Sequence, residues 1–255
     1  MPLALAFGNS HIGPYVRGHR LALAKGHIEC DVHGLALDGE RYQPHIHETD
    51  SGKQYNPVMI EDIRKAIDEL APDCLITAVV GSEHWKYGTS NMARPFDFLT
   101  PALPQYPMSP GTELIPYDLL VRRFHIDLDW QFNLVRAVRK FCDLPILHIE
   151  APPPVESVDL MLKGVYGPYR ESMEKLGCPA VSFRYKMWWI WTDEGKKLCT
   201  SLGLCYIEGP PDTRDANGFL DPRYFSDGLH GSDEYGALIA GEAVKAMRTL
   251  GVARG

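Results

Sequence analysis

The sequence predicts an α/β fold in three layers, with helices on both faces of a mostly parallel, five-stranded sheet. Four short apolar runs and one segment of alternating apolar and polar residues, 27–33, are separated by longer segments whose apolar residues recur at helical spacing. This alternation is typical of parallel strands joined by helices. Because such strands are covered on both faces, the helices are expected in two outer layers. No internal repeat or break in composition divides the chain, so residues 1–255 are expected to form one domain.

The expected strands and helices follow one another along the whole chain. Strands are placed at residues 2–7, 27–33, 74–80, 145–149 and 204–207. Helices are placed at residues 11–24, 57–70, 117–141, 192–202 and 233–250, the third of them in one or two pieces. Residues 155–187 are expected to be partly helical, and the turn-rich residues 35–56 and the proline-rich residues 82–116 to form long loops.

Two helices have clear start signals. Asn56 precedes Pro57, and this pair supplies a capping side chain and a residue suited to the first helical turn. Ser232 precedes Asp233 and Glu234, so a hydroxyl cap is followed by acidic residues that favour a helix N-terminus. These two helices are therefore expected to begin at residues 57 and 233.

Charge and hydropathy argue against two classes of partner. The net charge is −7 and no basic run is longer than three residues, which argues against nucleic acid or an anionic membrane as the main partner. No stretch approaches about 18 uninterrupted apolar residues, so no membrane span is expected. The apolar residues 1–6 lack the pattern of a secretory signal. The charge does not indicate an oligomeric state.

Cysteine usage favours a reducing compartment. The six cysteines contain no C-x-x-C pair, and they are interpreted as buried free thiols of a cytoplasmic protein rather than disulfides or zinc ligands. No glycine-rich nucleotide motif follows the first strand, so no cofactor is expected. His45, His47, Glu48 and Asp50 have loose metal-ligand spacing, but a solvated loop is favoured unless His33 joins them. No metal site is therefore predicted.

Polar residues follow the ends of the first three strands and precede the last helix. They are Gly8–His11, Gly34, Gly81–His84 and Asp227–His230. Because ligands bind beyond the carboxyl ends of strands in open parallel sheets, these segments are expected to meet in one site. A pocket there would be shaped by the two long loops.

Ser10, Asp227 and His230 form the predicted catalytic group. A serine hydroxyl is a poor nucleophile until a base removes its proton, and a histidine oriented by a carboxylate supplies that base on several unrelated folds. Taken singly, each residue has a structural explanation, since Ser10 and Asp227 are both suited to capping a turn or a helix. Their positions at the first strand end and before the last helix favour the catalytic interpretation.

The same segments resemble the sequence blocks of the SGNH/GDSL hydrolase superfamily. Gly8-Asn9-Ser10 stands where that family has Gly-Asp-Ser, Gly34 can supply the glycine after the second strand, and Asp227-x-x-His230 matches the C-terminal block. The resemblance covers nearly the whole chain and implies a flavodoxin-like sandwich. It also implies metal-free hydrolysis of an ester or acyl group, with backbone N–H groups of Ser10 and Gly34 stabilising the oxyanion.

The third block departs from the family pattern. Gly81-Ser82-Glu83-His84 places Glu83 where the family has an asparagine, and an ionised carboxylate would repel an oxyanion that an asparagine stabilises. His84 or Asn91 is then the candidate for the missing donor. Trp85, just beyond this strand, is expected to contact substrate.

Three functions follow from these residues. The leading hypothesis is an esterase or deacylase that acts through an acyl-enzyme at Ser10, on a small-molecule or carbohydrate ester. An acyltransferase would use the same site with a sugar hydroxyl in place of water. A non-catalytic carbohydrate-binding relative would result if Glu83 disabled the oxyanion hole. The sequence leaves the acyl group and the alcohol open.

Overall fold

The computed structural model of the protein describes residues 1–49, 52–80, 84–88, 91–165, 167–227 and 229–252. Its strands are β1 (Leu3–Gly8), β2 (Asp31–Ala36), β3 (Ile46–Thr49), β4 (Gly52–Tyr55), β5 (Cys74–Ala78), β6 (Phe96–Asp97), β7 (Glu113–Leu114), β8 (Ile146–Ile149) and β9 (Cys205–Ile207). Its helices are α1 (Ile12–Ala24), α2 (Pro57–Leu70), α3 (Trp85–Gly88), α4 (Tyr117–Gln131), α5 (Asn133–Arg139), α6 (Val158–Gly164), α7 (Pro168–Leu176), α8 (Val181–Ser201) and α9 (Asp233–Thr249).

The central sheet has five parallel strands in the order β2-β1-β5-β8-β9. Alternate residues of β1 point to opposite faces of the sheet. Ala4 and Ala6 pack against α1 and α9 on one face, whereas Leu5 and Phe7 pack into the core that α2, α4, α5 and α8 cover on the other. The predicted three-layer α/β/α fold is confirmed.

The predicted helix starts are also present. The Asn56 side chain accepts a hydrogen bond from the backbone N–H of Val58, and the Ser232 hydroxyl accepts one from Tyr235. The expected helix over residues 117–141 is divided into α4 and α5 at Phe132. None of the helices in the described ranges is long and apolar enough to cross a membrane.

Helices α1 and α9 touch through their backbones. A Cβ on Gly18 would overlap the backbone nitrogen of Ala237, and one on Gly236 would overlap the carbonyl oxygen of Pro14. Glycine at both crossing points therefore lets the two helices approach more closely than side chains would allow. This contact brings the segment that precedes α1 and the segment that precedes α9 to the same edge of the sheet.

The second strand lies later in the chain than predicted. It begins at Asp31, which pairs with Leu3, and ends at Ala36, which pairs with Gly8. Gly34 therefore lies inside the strand beside Ala6, and its expected place after the strand is wrong. The glycine makes room for α1, since a Cβ there would lie 2.8 Å from a methyl group of Val16.

The two predicted loops contain secondary structure. Strands β3 and β4 form an antiparallel hairpin within residues 35–56, and residues 82–116 include α3 and the short parallel pair β6 and β7. These strands are short and lie outside the main sheet, so their sequences lack the long apolar runs that identify the central strands. The long-loop expectation is correct only for the connections around them.

Helix α8 is longer than predicted and starts at Val181 rather than Thr192. Its tryptophan-rich half is buried, with Trp188 and Trp191 at 2% and 1% exposure. A helix that is buried over most of its circumference lacks a polar stripe. The helical period of this segment is therefore weak in the sequence.

A buried ion pair fixes the proline-rich segment to α8. Lys186 and Asp97 have no exposed side-chain surface, and their Nζ and Oδ1 atoms lie 2.6 Å apart. The ammonium also donates to the carbonyl oxygen of Phe98 at 2.8 Å, and Asp97 accepts from the backbone and hydroxyl of Ser109. Both charges are thus paired and hydrogen-bonded, as buried charges require.

Candidate active site

Ser10 lies in the turn that joins β1 to α1. The turn is closed by hydrogen bonds from the backbone N–H of Ile12 to the Asn9 carbonyl and from Gly13 to the Ser10 carbonyl. The Asn9 side chain donates to the carbonyl oxygen of Val79 at 3.1 Å, which ties the turn to the chain just beyond β5. The Ser10 side chain is left exposed at the carboxyl end of the sheet.

The Asp227 carboxylate shapes the loop before α9. It accepts hydrogen bonds from the backbone N–H groups of Leu229 at 3.4 Å and His230 at 3.1 Å, as aspartate does in turns. The same oxygen lies 2.7 Å from Nδ1 of the His230 ring. The loop is closed by a hydrogen bond from the Ser226 N–H to the His230 carbonyl.

His230 links this loop to the turn after β1. Its Nε2 atom lies 2.7 Å from the Ser10 hydroxyl oxygen, across 220 residues of sequence. The hydroxyl, the imidazole and the Asp227 carboxylate therefore form one hydrogen-bonded chain. With Nδ1 protonated and bonded to the carboxylate, Nε2 can accept the serine proton.

His11 packs against the ring of His230. Its ring centroid lies 4.6 Å from that of His230, at an angle of 55°. Burial and the neighbouring His230 lower the pKa of His11 to about 3, so this ring stays neutral at neutral pH. The neutral His11 ring therefore packs against the imidazole of His230 and places no positive charge beside it.

Glu150 lies directly after β8, at the same edge of the sheet. Its carboxylate accepts from the Gly209 N–H and from Arg214, each at 2.8 Å. Burial raises its pKa to about 7, although Arg214 opposes the shift. Glu150, His11 and Tyr235 line a cavity of about 30 Å³. This cavity has room for one or two water molecules. Sequence reasoning missed Glu150, although its position after a strand was a usable signal.

No protein-family model and no curated protein sequence matches this chain. The periplasmic domain of a lipopolysaccharide acetyltransferase from Salmonella ser. Paratyphi A matches in structure, with 11% identity and a TM-score of 0.53 over 96% of this chain and 83% of that one. This chain and that domain share a fold.

Two further solved structures are similar over almost the whole chain. A GDSL-like lipase from Bacteroides thetaiotaomicron has 11% identity and a TM-score of 0.48, covering 97% of this chain and 88% of its own. A carbohydrate acetylesterase from Sinorhizobium meliloti has 13% identity and a TM-score of 0.46, covering 98% and 100%. At sequence identities this low, similarity to a solved structure is evidence about the fold and not about the activity.

The oxyanion donors that the resemblance to the SGNH/GDSL superfamily implies are only partly placed in the structure. Gly34 pairs with Ala6, four residues before Ser10, so it lies inside the sheet and not at the strand end. Gly81 and Glu83 lie outside the described residues. Trp85 is the first residue of α3, and its side chain is likewise outside the described part.

His84 and Asn91, the two proposed replacement donors, differ in their surroundings. The Asn91 amide donates to the carbonyl oxygens of Leu176 and Cys178, so it holds the loop before α8. His84 is 2% exposed, and neither ring nitrogen has a hydrogen-bond partner among the described residues. Burial, and to a smaller extent the neighbouring His11 ring, lower the pKa of His84 to about 3. The Asn91 amide nitrogen is thus already bonded to two carbonyl oxygens, whereas both ring nitrogens of His84 remain available to a ligand.

His45 is bonded within the segment that leads into the β3–β4 hairpin. His45 contacts the side chain of Gln43 at 3.0 Å, and its carbonyl accepts from the Asn56 N–H at the start of α2. Within the described ranges, no three His, Cys, Asp or Glu side chains are grouped as metal ligands would be.

Proposed function

We propose that the protein is a serine-dependent hydrolase of esters or acyl groups, with Ser10 as nucleophile, His230 as base and Asp227 as orienter. The supporting observation is the hydrogen-bonded chain from the Ser10 hydroxyl through the imidazole to the carboxylate, at 2.7 Å in both steps. Groups in this relation activate a hydroxyl that is otherwise unreactive at neutral pH. The substrate is a small-molecule ester or an acylated carbohydrate.

In the proposed reaction, the Ser10 oxygen attacks the acyl carbon while His230 accepts the hydroxyl proton. The backbone N–H of Ser10 and one further donor, for which His84 is the candidate, stabilise the negative oxygen of the tetrahedral intermediate. His230 then gives its proton to the departing alcohol, which leaves an acyl group on Ser10. Water, deprotonated by His230, then attacks this ester. The bond between the acyl group and the Ser10 oxygen breaks, His230 returns the proton to Ser10, and the acid leaves.

Transfer to a second alcohol is the alternative outcome of the same intermediate. The Ser10 side chain is exposed at the sheet edge, so a hydroxyl group of an acceptor can replace water in the last step. Adding methanol to the reaction separates the outcomes, because a transferase forms the methyl ester faster than the free acid. The six cysteines, which are present as thiols and not as disulfides, support the cytoplasm as the proposed compartment, since thiols persist under reducing conditions.

The decisive experiment compares hydrolysis of p-nitrophenyl acetate by the wild type and by Ser10→Ala. We expect kcat/KM to fall by at least about 1000-fold, because the nucleophile is removed. A fluorophosphonate probe should label Ser10 of the wild type, located by mass spectrometry of the peptides. Ser226→Ala, in the loop beside Asp227, is the matched control and should keep its activity.

Equal turnover by the wild type and Ser10→Ala would overturn the proposed mechanism. Binding of a glycan without turnover, unchanged in Ser10→Ala, would instead support the non-catalytic relative. Folding of each variant is checked by its thermal transition, so that loss of activity is not confused with loss of structure.

A further inference from the structure

A cavity of about 270 Å³ lies beside the turn that holds Ser10. Asn9, the residue before Ser10, forms part of its wall, so the cavity is next to the proposed nucleophile. Its other walls come from the β3–β4 hairpin, the start of α2, the chain after β5, and the helices α4 and α5. The proposed mechanism does not use this cavity.

An aromatic pair forms one wall. The rings of Tyr55 and Trp130 are stacked, with 5.5 Å between centroids and 3° between planes. The Tyr55 hydroxyl donates to the backbone carbonyl of Gln131 at 3.1 Å, which fastens the hairpin to the end of α4. Both rings are half-buried, so the wall is a fixed aromatic surface that a ligand can contact.

The rest of the lining combines an apolar floor with polar groups. Met59, Val79 and Leu134 are at most 2% exposed and form the floor. Gln131 lines the same space, and its buried Oε1 atom has no hydrogen-bond partner among the described residues. Asp127 adds a carboxylate.

These walls distinguish between kinds of ligand. A plain alkyl group would cover the polar groups without bonding to them, and an unsatisfied buried acceptor is unfavourable. A group that carries several hydroxyls can donate to the Asp127 carboxylate, and to Gln131 Oε1 once the amide rotates towards the cavity, while its C–H face rests on the aromatic rings and the floor. This combination is the chemistry of a sugar ring.

We propose that this cavity binds a polyhydroxylated, sugar-like part of the substrate. The proposal rests on the proposed function, because Asn9 joins the cavity to Ser10. An ester can carry such a group on its alcohol side or on its acyl side. The two sources share the chemistry that the cavity recognises, and matched esters distinguish them.

The experiment measures kcat/KM for two pairs of esters. Acetyl esters of glucose and of ethanol, 6-O-acetylglucose and ethyl acetate, share the acyl group. Methyl gluconate and methyl butyrate share the alcohol. We expect the wild type to prefer the hydroxylated member of at least one pair. In Trp130→Ala and in Gln131→Met, which keeps the side-chain length without the amide, this preference should fall about 10-fold.

Controls separate loss of the subsite from loss of the fold. Trp130→Phe retains an aromatic ring against Tyr55 and should keep most of the preference, whereas Tyr169→Ala, an exposed aromatic on α7, should keep all of it. A wild type without preference in either pair, or Trp130→Ala and Gln131→Met with unchanged preference, would overturn the proposal.

Calorimetric titration of Ser10→Ala with 6-O-acetylglucose and with methyl gluconate tests the cavity without catalysis. Binding that disappears in the Ser10→Ala, Trp130→Ala double variant supports the subsite even if the wild type hydrolyses no ester, in which case only the proposed function fails. Binding of neither probe, or binding that survives in the double variant, overturns the subsite and leaves the Ser10 test to stand alone.

Discussion

The junction of the two chain ends and the proline-rich segment are held in different ways. At the junction, Gly18 and Gly236 let the backbones of α1 and α9 touch. The hydrogen bond between the Ser10 hydroxyl and His230 Nε2 then joins the segments that precede the two helices. The proline-rich segment is instead held by Lys186, which reaches Asp97 and the Phe98 carbonyl from α8. The first region uses backbone contact and turn geometry, and the second uses two buried charges.

This difference predicts where the protein is most sensitive. A buried charge has no alternative partner when its counterion is removed, whereas a backbone contact can relax by a small shift of one helix. We therefore expect the largest loss of stability at the ion pair, a smaller one at the helix crossing, and the smallest in the core strand β8.

The largest effect is expected from Lys186→Met. Asp97 would stay buried without its counterion, and breaking a buried pair in this way costs about 3–5 kcal/mol. The free energy of unfolding from urea titration measures this loss. Arg94→Ala is the matched control, because its pair with Glu113 is exposed at 82% and 55% and is expected to contribute about 1 kcal/mol or less. Equal losses in the two variants would contradict the comparison.

A smaller loss is expected from Gly18→Ala. The added methyl group would overlap the backbone of α9 at Ala237, and overpacking of this kind costs about 1–3 kcal/mol. Because α9 follows the His230 loop, the variant should also lose part of the proposed esterase activity. Gly241→Ala is the control on α9, since no atom lies within 4 Å of its added Cβ. A Gly18→Ala protein as stable as the control would show that the helices do not need this contact.

The smallest effect is a change in pH dependence from His148→Phe. Burial lowers the pKa of His148 in β8 from 6.5 to about 3, so between these values the unfolded chain binds a proton that the folded protein does not. Stability from this residue is therefore present above pH 6.5 and is lost as the pH falls towards 3. The ring packs against Phe132 and Tyr206, which favours phenylalanine as the replacement.

Because phenylalanine does not bind a proton, His148→Phe should lower the slope of unfolding free energy against pH by about 1.4 kcal/mol per pH unit between roughly pH 6 and 4. Urea titrations at pH 6 and pH 4.5 measure the slope. His27→Gln, at an exposed position, is the control. A His148→Phe slope equal to that of the wild type would contradict the assignment.

The sequence predicted most of the central sheet because four of its five strands have a continuous apolar run, and two helices have clear start signals. Asn56 and Ser232 are local signals of this kind, and both cap the helices expected of them. The contact between Ser10 and His230 followed from the rule that parallel strands present their carboxyl ends at one edge. Position in the topology was more informative than residue type.

Other features could not be predicted because they depend on contacts between distant residues. Lys186 and Asp97 look like ordinary surface charges in the sequence, and only the folded chain brings them together. Gly34 was misplaced because strand bounds depend on pairing with β1. The hairpin β3–β4, which supplies Tyr55 to the cavity beside Asn9, is too short for its period to be recognised.

The Asp227 carboxylate both closes a turn and faces an imidazole, and this limits how kinetic data at that position can be interpreted. A substitution by alanine would change the path of the backbone and the tautomer of the ring in one step. Asparagine keeps an oxygen for the two amide protons, but it removes the negative charge and places an NH2 donor near Nδ1. Both variants therefore lose the charge and the ring's acceptor pair, and the ratio of their rates reports how much of the rate depends on loop shape.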